Sequence, residues 1–161
     1  MNNFSVEING HTFWISRSIA VVGLVFGYDT EEHEYILAVQ RGTGTPDPEF
    51  VGCWCLPCGY VDYDETTEEA LKREIFEETG IDKKNFCSTD LLEVNSDPKS
   101  DKRQNITLRY ECLLIGDIKD IKLTTENSEK DEVSDVKWIP IDEIDNYKWA
   151  FNHKELIKKY N

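Results

Sequence analysis

The sequence predicts an α+β domain in which helices cover a β-sheet. Three observations predict this fold class. Apolar runs typical of strands open the chain, and one capped helical segment follows them from Thr66 to Gly80. Further strand-like runs and closing helical segments complete the pattern. A chain of 161 residues is long enough for one sizeable core, so we expect a single domain over residues 1–161.

The N-terminal region is predicted to form a hairpin followed by two paired strands. Asn9-Gly10 is a type I′ turn signal between two strand-like runs, which predicts a β-hairpin within residues 1–16. This hairpin is also our candidate contact for a homodimer. Residues 19–26 form a continuous apolar run, typical of a strand buried on both faces. Residues 35–40 are predicted to pair with that strand across a polar turn.

The middle of the chain predicts a loop, a short strand and the central helix. Glycine and proline mark residues 42–52 as a loop, and residues 54–61 are predicted to form one short strand. Thr66 can cap the helix that follows, with Glu69 reaching back to the N–H of the cap as in a capping box. Gly80 favours the left-handed conformation that ends a helix.

The C-terminal half predicts further strands and then helices. The strands are expected over residues 91–95, 106–115 and 133–140, with a polar loop between the first two. Residues 141–147 predict a short helix, and residues 149–160 predict a last amphipathic helix. This order of elements is the basis of the α+β assignment.

Charge and hydropathy exclude several classes of function. A net charge of −14 argues against broad binding to a nucleic-acid backbone, which needs a basic patch. No apolar run approaches the roughly 18 residues of a membrane span. The N-terminus has neither a basic n-region nor an apolar h-region, so no secretory signal is visible and we expect a cytoplasmic protein. A small anionic substrate remains compatible with the acidic charge, because a metal ion can supply positive charge locally.

The five cysteines do not predict a disulfide framework, because their number is odd and the expected compartment is reducing. Cys53, Cys55 and Cys58 are close in sequence, but no histidine lies near them to complete a zinc site. A redox pair is disfavoured because the segment does not open a helix. We therefore interpret these thiols as small strand and turn side chains. The histidines are interpreted as plain strand, surface or packing residues; they are His11, His33 and His153.

The central helix carries an unusual group of acids. At roughly 100° per residue, Glu74, Glu77 and Glu78 share one arc beside the apolar stripe of Leu71 and Ile75. Like charges three and four residues apart cost about 0.2–0.5 kcal/mol per pair. The arc is either a solvated acidic face or a site for a hard divalent cation. Mg²⁺ takes carboxylate ligands and keeps positions open for substrate phosphates.

Three arginines are candidate substrate contacts. Arg41 follows the second buried strand, where its guanidinium could clamp a phosphate through two hydrogen bonds. The alternative for Arg41 is a surface ion pair in an acidic protein. Arg103 and Arg109 are secondary candidates, and a solvated surface charge is the alternative role for each.

The segment from Gly59 to Ile81 resembles the signature of the Nudix hydrolases, G-x5-E-x7-R-E-U-x-E-E-x-G-U, where U is an aliphatic residue. It agrees at every defined position, and the weaker resemblance outside this box covers roughly Ile19 to Tyr147. The matching residues of the box are Gly59, Glu65, Arg73, Glu74, Ile75, Glu77, Glu78, Gly80 and Ile81.

The resemblance implies an α/β/α sandwich around a mixed β-sheet. It also implies hydrolysis of a small-molecule nucleotide, a nucleoside diphosphate linked to another group, such as ADP-ribose, a nucleotide sugar or a dinucleotide. The implied cofactor is Mg²⁺, with Mn²⁺ as the alternative. By position in the box, Glu77 and Glu78 would bind the metal, and Glu74 would either join them or act as general base. Arg73 would orient a carboxylate, with Glu65 as the candidate.

The resemblance also implies two ligands outside the central helix. The backbone carbonyl of Cys58 would help to bind the metal, although many members have glycine at this position. An acid from a later loop completes the site in many members, and Glu132 is our first candidate, with Glu129 second. Two alternatives remain open: a ligand-sensing domain that does not hydrolyse, and an isomerase that acts on a prenyl diphosphate.

Overall fold

The structure is a computed structural model that describes residues 3–99 and 102–161. Short 3-10 helices lie at Pro48–Phe50, Lys83–Asn85, Ile118–Asp120 and Ile141–Asn146. The strands and α-helices are, in chain order, β1 (Phe4–Ile8), β2 (His11–Ile15), β3 (Ile19–Tyr28), β4 (Glu34–Arg41), β5 (Trp54–Cys55), β6 (Cys58–Tyr60), α1 (Thr67–Thr79), β7 (Phe86–Asn95), β8 (Ile106–Asp117), β9 (Val133–Pro140) and α2 (His153–Tyr160).

The predicted N-terminal hairpin is confirmed. Strands β1 and β2 pair antiparallel, and Asn9 and Gly10 both have positive φ, 52° and 79°, as a type I′ turn requires. The hairpin exposes several apolar side chains, with Trp14 at 71% exposure. Its role as a homodimer contact remains a prediction.

The second sheet is mixed, as the resemblance implies. Its strand order is β5-β4-β3-β8-β7, with β6 also paired to β3 and β9 also paired to β4. Strands β3 and β8 are parallel, and the other pairs are antiparallel. Strand β3 is central because its first residues pair with β6 and its last residues pair with β4.

Alternate side chains of β3 point to two separate cores, which places helices on both faces of the sheet. On one face Val21 and Val25 pack in a cluster with Ala70, Leu71 and Ile75 of α1. On the other face lie α2 and the 3-10 helix that precedes it. The cluster there contains Val22, Leu24, Phe26, Ile144, Leu156 and Ile157. The α+β class and the sandwich arrangement are therefore confirmed.

The ends of α1 form as predicted. The hydroxyl of Thr66 accepts the N–H of Glu69 at 3.2 Å, and a carboxylate oxygen of Glu69 accepts the N–H of Thr66 at 2.8 Å. Gly80 follows the last turn with φ of 77°, the left-handed conformation that glycine adopts without strain. These caps fix the helix that carries the acidic group.

Three predicted boundaries are wrong. The strand expected over residues 54–61 is divided into β5 and β6, because Pro57 has no N–H for a strand ladder. Strand β7 begins at Phe86, five residues before the predicted start at Leu91. The last helix begins at His153, and Trp149 instead forms a parallel bridge with Trp54.

Two general features of the chain complete the description. All five cysteines are free. Among the described residues, neither α-helix has the length and apolar character of a membrane span.

Candidate active site

The last turn of α1 faces β6 through a buried carboxylate. The side chain of Glu78 is enclosed, with the residue only 4% exposed. Its Oε2 accepts the backbone N–H of Cys58 at 3.0 Å. Burial raises the pKa of Glu78 well above its usual range, and the neighbouring Cys58 and Glu74 raise it further. Within the described residues Glu78 has no ion-pair partner, so its negative charge is unfavourable without an added cation.

Glu74 lies one turn earlier on α1 and reaches Gly59. A Cβ atom added to Gly59 would lie 2.0 Å from Oε1 of Glu74, so a larger residue here would displace the carboxylate of Glu74. Burial raises the pKa of Glu74 to about 7, and Arg73 offsets part of that rise. A carboxyl group with this pKa can hold or release a proton near neutral pH.

Arg73 binds the protein's own carboxylates. Its Nε and Nη2 donate to Glu65 at 3.1 and 2.7 Å, a two-point contact. Its Nη1 donates to Glu74 at 2.8 Å and to Glu77 at 3.1 Å, and Nη2 also donates to the carbonyl of Tyr60 at 2.9 Å. These contacts lower the pKa of Glu65. The structure thus places Arg73 against Glu65, the carboxylate that the resemblance suggests for it, and the functional role of Arg73 remains a prediction.

Glu132 approaches the same acidic group from the residue before β9. The turn at its N-terminal side is held by two hydrogen bonds, from Gly42 N–H to the carbonyl of Glu132 and from Gly44 N–H to the carbonyl of Asp131, each at 2.7 Å. Burial raises the pKa of Glu132, and repulsion from Glu129 and Glu77 raises it further. Glu132 also repels Glu74 and Glu78. Glu132, our first candidate for the acid from a later loop, therefore lies near the acids of α1.

The chemistry of this donor set fits a hard divalent cation. Glu78 is a buried carboxylate without a cation, and Glu74 is kept partly protonated by its surroundings. In the part of the chain that the structure describes, no group of three or more His, Cys, Asp or Glu side chains is already arranged around a metal position. Glu74 and Glu77 instead contact Arg73. Both must turn away from the guanidinium to join Glu78 around a cation.

Arg41 is buried, which neither interpretation of the sequence predicts. The residue is 8% exposed, and its guanidinium contacts the hydroxyl of Thr45 and the sulfur of Cys55 at 4.0 Å. Its Nε has no hydrogen-bond partner, and among the described residues no carboxylate forms an ion pair with it. The alternative of a surface ion pair is therefore wrong. Glu78 and Glu132 interact with Arg41 electrostatically without a direct ion pair, so its charge is only partly compensated by the described residues.

A cleft of about 220 Å³ opens beside Arg41. It lies between the loop that follows β4 and the residues that precede and begin β9. Its lining residues are Arg41, Gly42, Thr43, Val51, Gly52, Asp131, Val133 and Ser134. The cleft therefore borders both the guanidinium and the loop that carries Glu132.

The two secondary arginines have protein partners. Arg103 donates to Asp47 at 2.7 Å and to the hydroxyl of Tyr60 at 3.1 Å. Arg109 forms an ion pair with Glu93, and its side chain is only 11% exposed, so the alternative of a solvated surface charge is wrong for Arg109. Lys159, Tyr160 and Arg109 together lower the pKa of Glu93 to about 2. Substrate contact by either arginine remains a prediction.

His153 is buried, whereas the sequence leaves both a surface role and a packing role open for it. Its Nδ1 accepts the N–H of Leu56 at 3.0 Å, and burial, with Arg109 and Arg41 nearby, lowers its pKa to about 3. A signal was present in the sequence, because His153 continues the apolar stripe of α2 with Leu156, Ile157 and Tyr160 at helical spacing. The packing interpretation is confirmed and the surface interpretation is wrong.

Comparison with known proteins places this geometry in context. A family model described as the NUDIX domain matches residues 17–160. The chain is similar to the ADP-ribose pyrophosphatase of Methanocaldococcus jannaschii, with 31% identity over 155 residues that cover 96% of this chain and 79% of that protein.

Solved structures show the same similarity. The NUDIX domain of Shewanella oneidensis NrtR complexed with ADP ribose has a TM-score of 0.73 and 26% identity, covering 91% of this chain and 87% of that one. A bifunctional NMN adenylyltransferase/ADP ribose pyrophosphatase from Francisella tularensis, complexed with AMP and a Mn ion, has a TM-score of 0.63 and 26% identity. That match covers 89% of this chain and 41% of the bifunctional one.

Proposed function

Because the chain belongs to the Nudix family and is a Nudix pyrophosphohydrolase, we propose that it cleaves the diphosphate bond of a nucleoside diphosphate linked to another group. ADP-ribose is the first substrate that we propose. The Methanocaldococcus jannaschii relative carries the name ADP-ribose pyrophosphatase, and the similar NrtR domain was solved with ADP ribose. Nucleotide sugars and dinucleotides share the same diphosphate chemistry.

The observation that carries the proposal is the buried carboxylate of Glu78, which has a backbone N–H from Cys58 but no ion-pair partner among the described residues. A divalent cation would compensate this charge, with Glu77, Glu74, Glu132 and the carbonyl of Cys58 as the other candidate ligands. When bound, Mg²⁺ or Mn²⁺ would neutralise diphosphate oxygens and lower the pKa of a water molecule. The oxygen-only donor set suits either ion.

The protein's own groups would supply the remaining chemistry. Glu74, with its pKa raised to about 7, is the candidate that takes up the proton of the attacking water. Arg73 would hold Glu65 through its two-point contact, and it would release Glu74 and Glu77 from its Nη1 when a cation binds. Arg41 would bind a phosphate oxygen through its guanidinium, because Arg41 lines the cleft beside the acids.

A substrate panel tests the proposal. The protein is incubated with ADP-ribose, a nucleotide sugar, a dinucleotide and a prenyl diphosphate, each with Mg²⁺, with Mn²⁺ or with a chelator. We expect AMP and ribose 5-phosphate from ADP-ribose only when a cation is present, as separated by ion-exchange chromatography. ADP-ribose that is bound but stays intact would identify a sensor, and a rearranged prenyl diphosphate would identify an isomerase; either result contradicts the proposal.

A further inference from the structure

The short connection between β5 and β6 links the candidate active site to the C-terminal part of the chain. Leu56 is fully buried, and its N–H donates to Nδ1 of His153 at 3.0 Å. The carbonyl of Pro57 accepts the N–H of Gly23 at 2.9 Å. The N–H of Cys58 then donates to Glu78. Three consecutive residues therefore each have a defined hydrogen-bond partner, and the partner of the last one is the proposed metal ligand. Cys58 is also paired with Val22 of β3.

The C-terminal segment, residues 148–153, runs alongside this connection. The N–H of Trp54 donates to the carbonyl of Lys148 at 2.8 Å, and the N–H of Ala150 donates to the carbonyl of Trp54 at 2.7 Å. Trp54 and Trp149 form a parallel bridge. The bond from Leu56 to His153 continues this ladder, but a side chain takes the place of a backbone carbonyl. The backbone pairing of Trp54 with residues 148–150 therefore brings His153 alongside the residues that follow β5.

His153 can act only as an acceptor toward Leu56. The residue is 5% exposed, and its depressed pKa keeps the imidazole neutral near pH 7. Because Nδ1 accepts a hydrogen bond, the ring proton lies on Nε2. Among the described residues no other side chain bonds the N–H of Leu56, so an apolar residue at this position would leave a buried donor without a partner.

The connection has little freedom to move without disturbing the acids. Gly59 follows Cys58 directly, and a Cβ atom there would already lie 2.0 Å from Glu74. The same C-terminal segment also contacts Arg41, the candidate phosphate ligand. Phe151, at φ of 55°, places its ring 5.3 Å from the guanidinium carbon of Arg41.

From these contacts we propose that His153 is a positioning residue of the active site. The hydrogen bond from Leu56 to its Nδ1 fixes the backbone of Leu56. Because Cys58 is two residues further along the chain, this bond also helps to position the Cys58 N–H, which donates to Glu78, and the Cys58 carbonyl. The inference rests on the proposed function, because it concerns the same metal-binding residues. Partners that hold metal ligands in place commonly change metal affinity or activity by about 10–100-fold when they are lost.

Four variants test this inference. His153→Leu removes the acceptor, and His153→Asn restores it, because the amide oxygen of asparagine can lie where Nδ1 lies. His153→Gln is a polar control whose amide reaches the position of Nε2 instead, and it also serves if His153→Leu does not fold. Ile157→Val is the stability control, since Ile157 is fully buried on the same helix and packs in the same core cluster as Leu56, but its side chain has no acceptor for the N–H of Leu56.

Three quantities are measured on each folded variant: kcat for ADP-ribose at saturating Mg²⁺, Mn²⁺ affinity by electron paramagnetic resonance, and hydrogen exchange of the peptide that contains Leu56 and Cys58. We expect His153→Leu and His153→Gln to lower kcat and Mn²⁺ affinity about 10–100-fold and to speed exchange in that peptide. His153→Asn should recover most of each quantity, and Ile157→Val should match the parent.

The inference is overturned if His153→Leu and His153→Gln change these quantities no more than Ile157→Val does, or if His153→Asn is as impaired as they are. Failure of the proposed function has a different signature, because the parent itself would then hydrolyse no substrate and bind no Mn²⁺. Hydrogen exchange needs neither substrate nor metal. It therefore still decides whether His153 fixes the connection.

Discussion

Oε2 of Glu78 and the backbone nitrogen of Cys58 are 3.0 Å apart and joined by a hydrogen bond. This contact connects the last turn of α1 to β6 and places a carboxylate beside the first residues of the signature segment. A single hydrogen bond from a neutral N–H does not compensate a fully buried negative charge. The pKa of Glu78 is accordingly raised well above its usual range, which supports the proposal that a cation binds there.

Neutral replacements of the two acids in the last turn should abolish catalysis without unfolding the protein. We expect Glu77→Gln and Glu78→Gln to lower kcat for ADP-ribose at least about 100-fold, because each removes charge that holds the cation. Glu68→Gln is the matched control on the same helix, since Glu68 is exposed and pairs with Lys72 away from the acidic group. Parental turnover in both variants would show that the site is wrongly assigned.

Magnesium should stabilise the parent and leave Glu78→Gln almost unchanged. A ligand that binds only the folded state adds about 2.7 kcal/mol at 100 times its Kd. Differential scanning calorimetry with increasing Mg²⁺ measures this as a rising Tm. Glu78→Gln should show no such rise, yet it should be at least as stable as the parent without metal, because burial raises the pKa of Glu78 and an amide avoids the cost of burying or protonating that carboxylate. Equal Mg²⁺ responses in the two proteins would contradict the assignment of Glu78.

Removal of the charge at Arg41 should weaken substrate binding. We expect Arg41→Met to raise KM for ADP-ribose about 10–100-fold, the equivalent of one or two charged hydrogen bonds. Arg41→Lys keeps the charge but loses the planar fork, so its KM should lie between those of the parent and Arg41→Met. Mn²⁺ affinity is the control measurement and should not fall, because the positive charge of Arg41 acts on Glu78 and Glu132 and opposes a cation there. An unaltered KM in Arg41→Met would exclude Arg41 as a phosphate ligand.

Stability should fall in acid because of His153. Its pKa is lowered to about 3 in the folded protein from the usual value of 6.5, so its contribution is complete above pH 6.5 and is lost as the pH falls toward 3. Between pH 7.5 and 5 this loss is about 2 kcal/mol. This loss is measured by urea unfolding of the parent and of His153→Asn at both pH values. The difference between the two proteins isolates the contribution of His153, since other groups titrate alike in both. A stability difference that is the same at both pH values would contradict the burial of a neutral imidazole.

The sequence predicts those parts of the fold that depend on local rules. The capping box of Thr66 and Glu69, the left-handed Gly80 and the Asn9-Gly10 turn all form as expected, because each depends on residues close in sequence. The break between β5 and β6 could also be predicted, since Pro57 has no N–H to donate to a neighbouring strand. The hydrogen bond that holds this connection joins Leu56 and His153, which are 97 positions apart. No local pattern in the sequence therefore predicts it.

The same distinction applies to the site. The acidic arc of α1 follows from helical spacing alone, and the structure places Glu74 and Glu78 where that spacing predicts. The burial of Arg41 does not follow from its neighbours in sequence, because the ring of Phe151 and the hydroxyl of Thr45 enclose it only in the folded chain. The ion pair of Arg109 with Glu93 likewise depends on the register of β7 against β8.

A crystal of the protein soaked in Mn²⁺ tests the central claim most directly, because anomalous scattering locates the ion. The account predicts an anomalous peak about 2.1 Å from a carboxylate oxygen of Glu78, with Glu74 and Glu77 turned from Arg73 toward the ion. A crystal at saturating Mn²⁺ with no peak there, and with Glu74 and Glu77 still bound to Arg73, would contradict it.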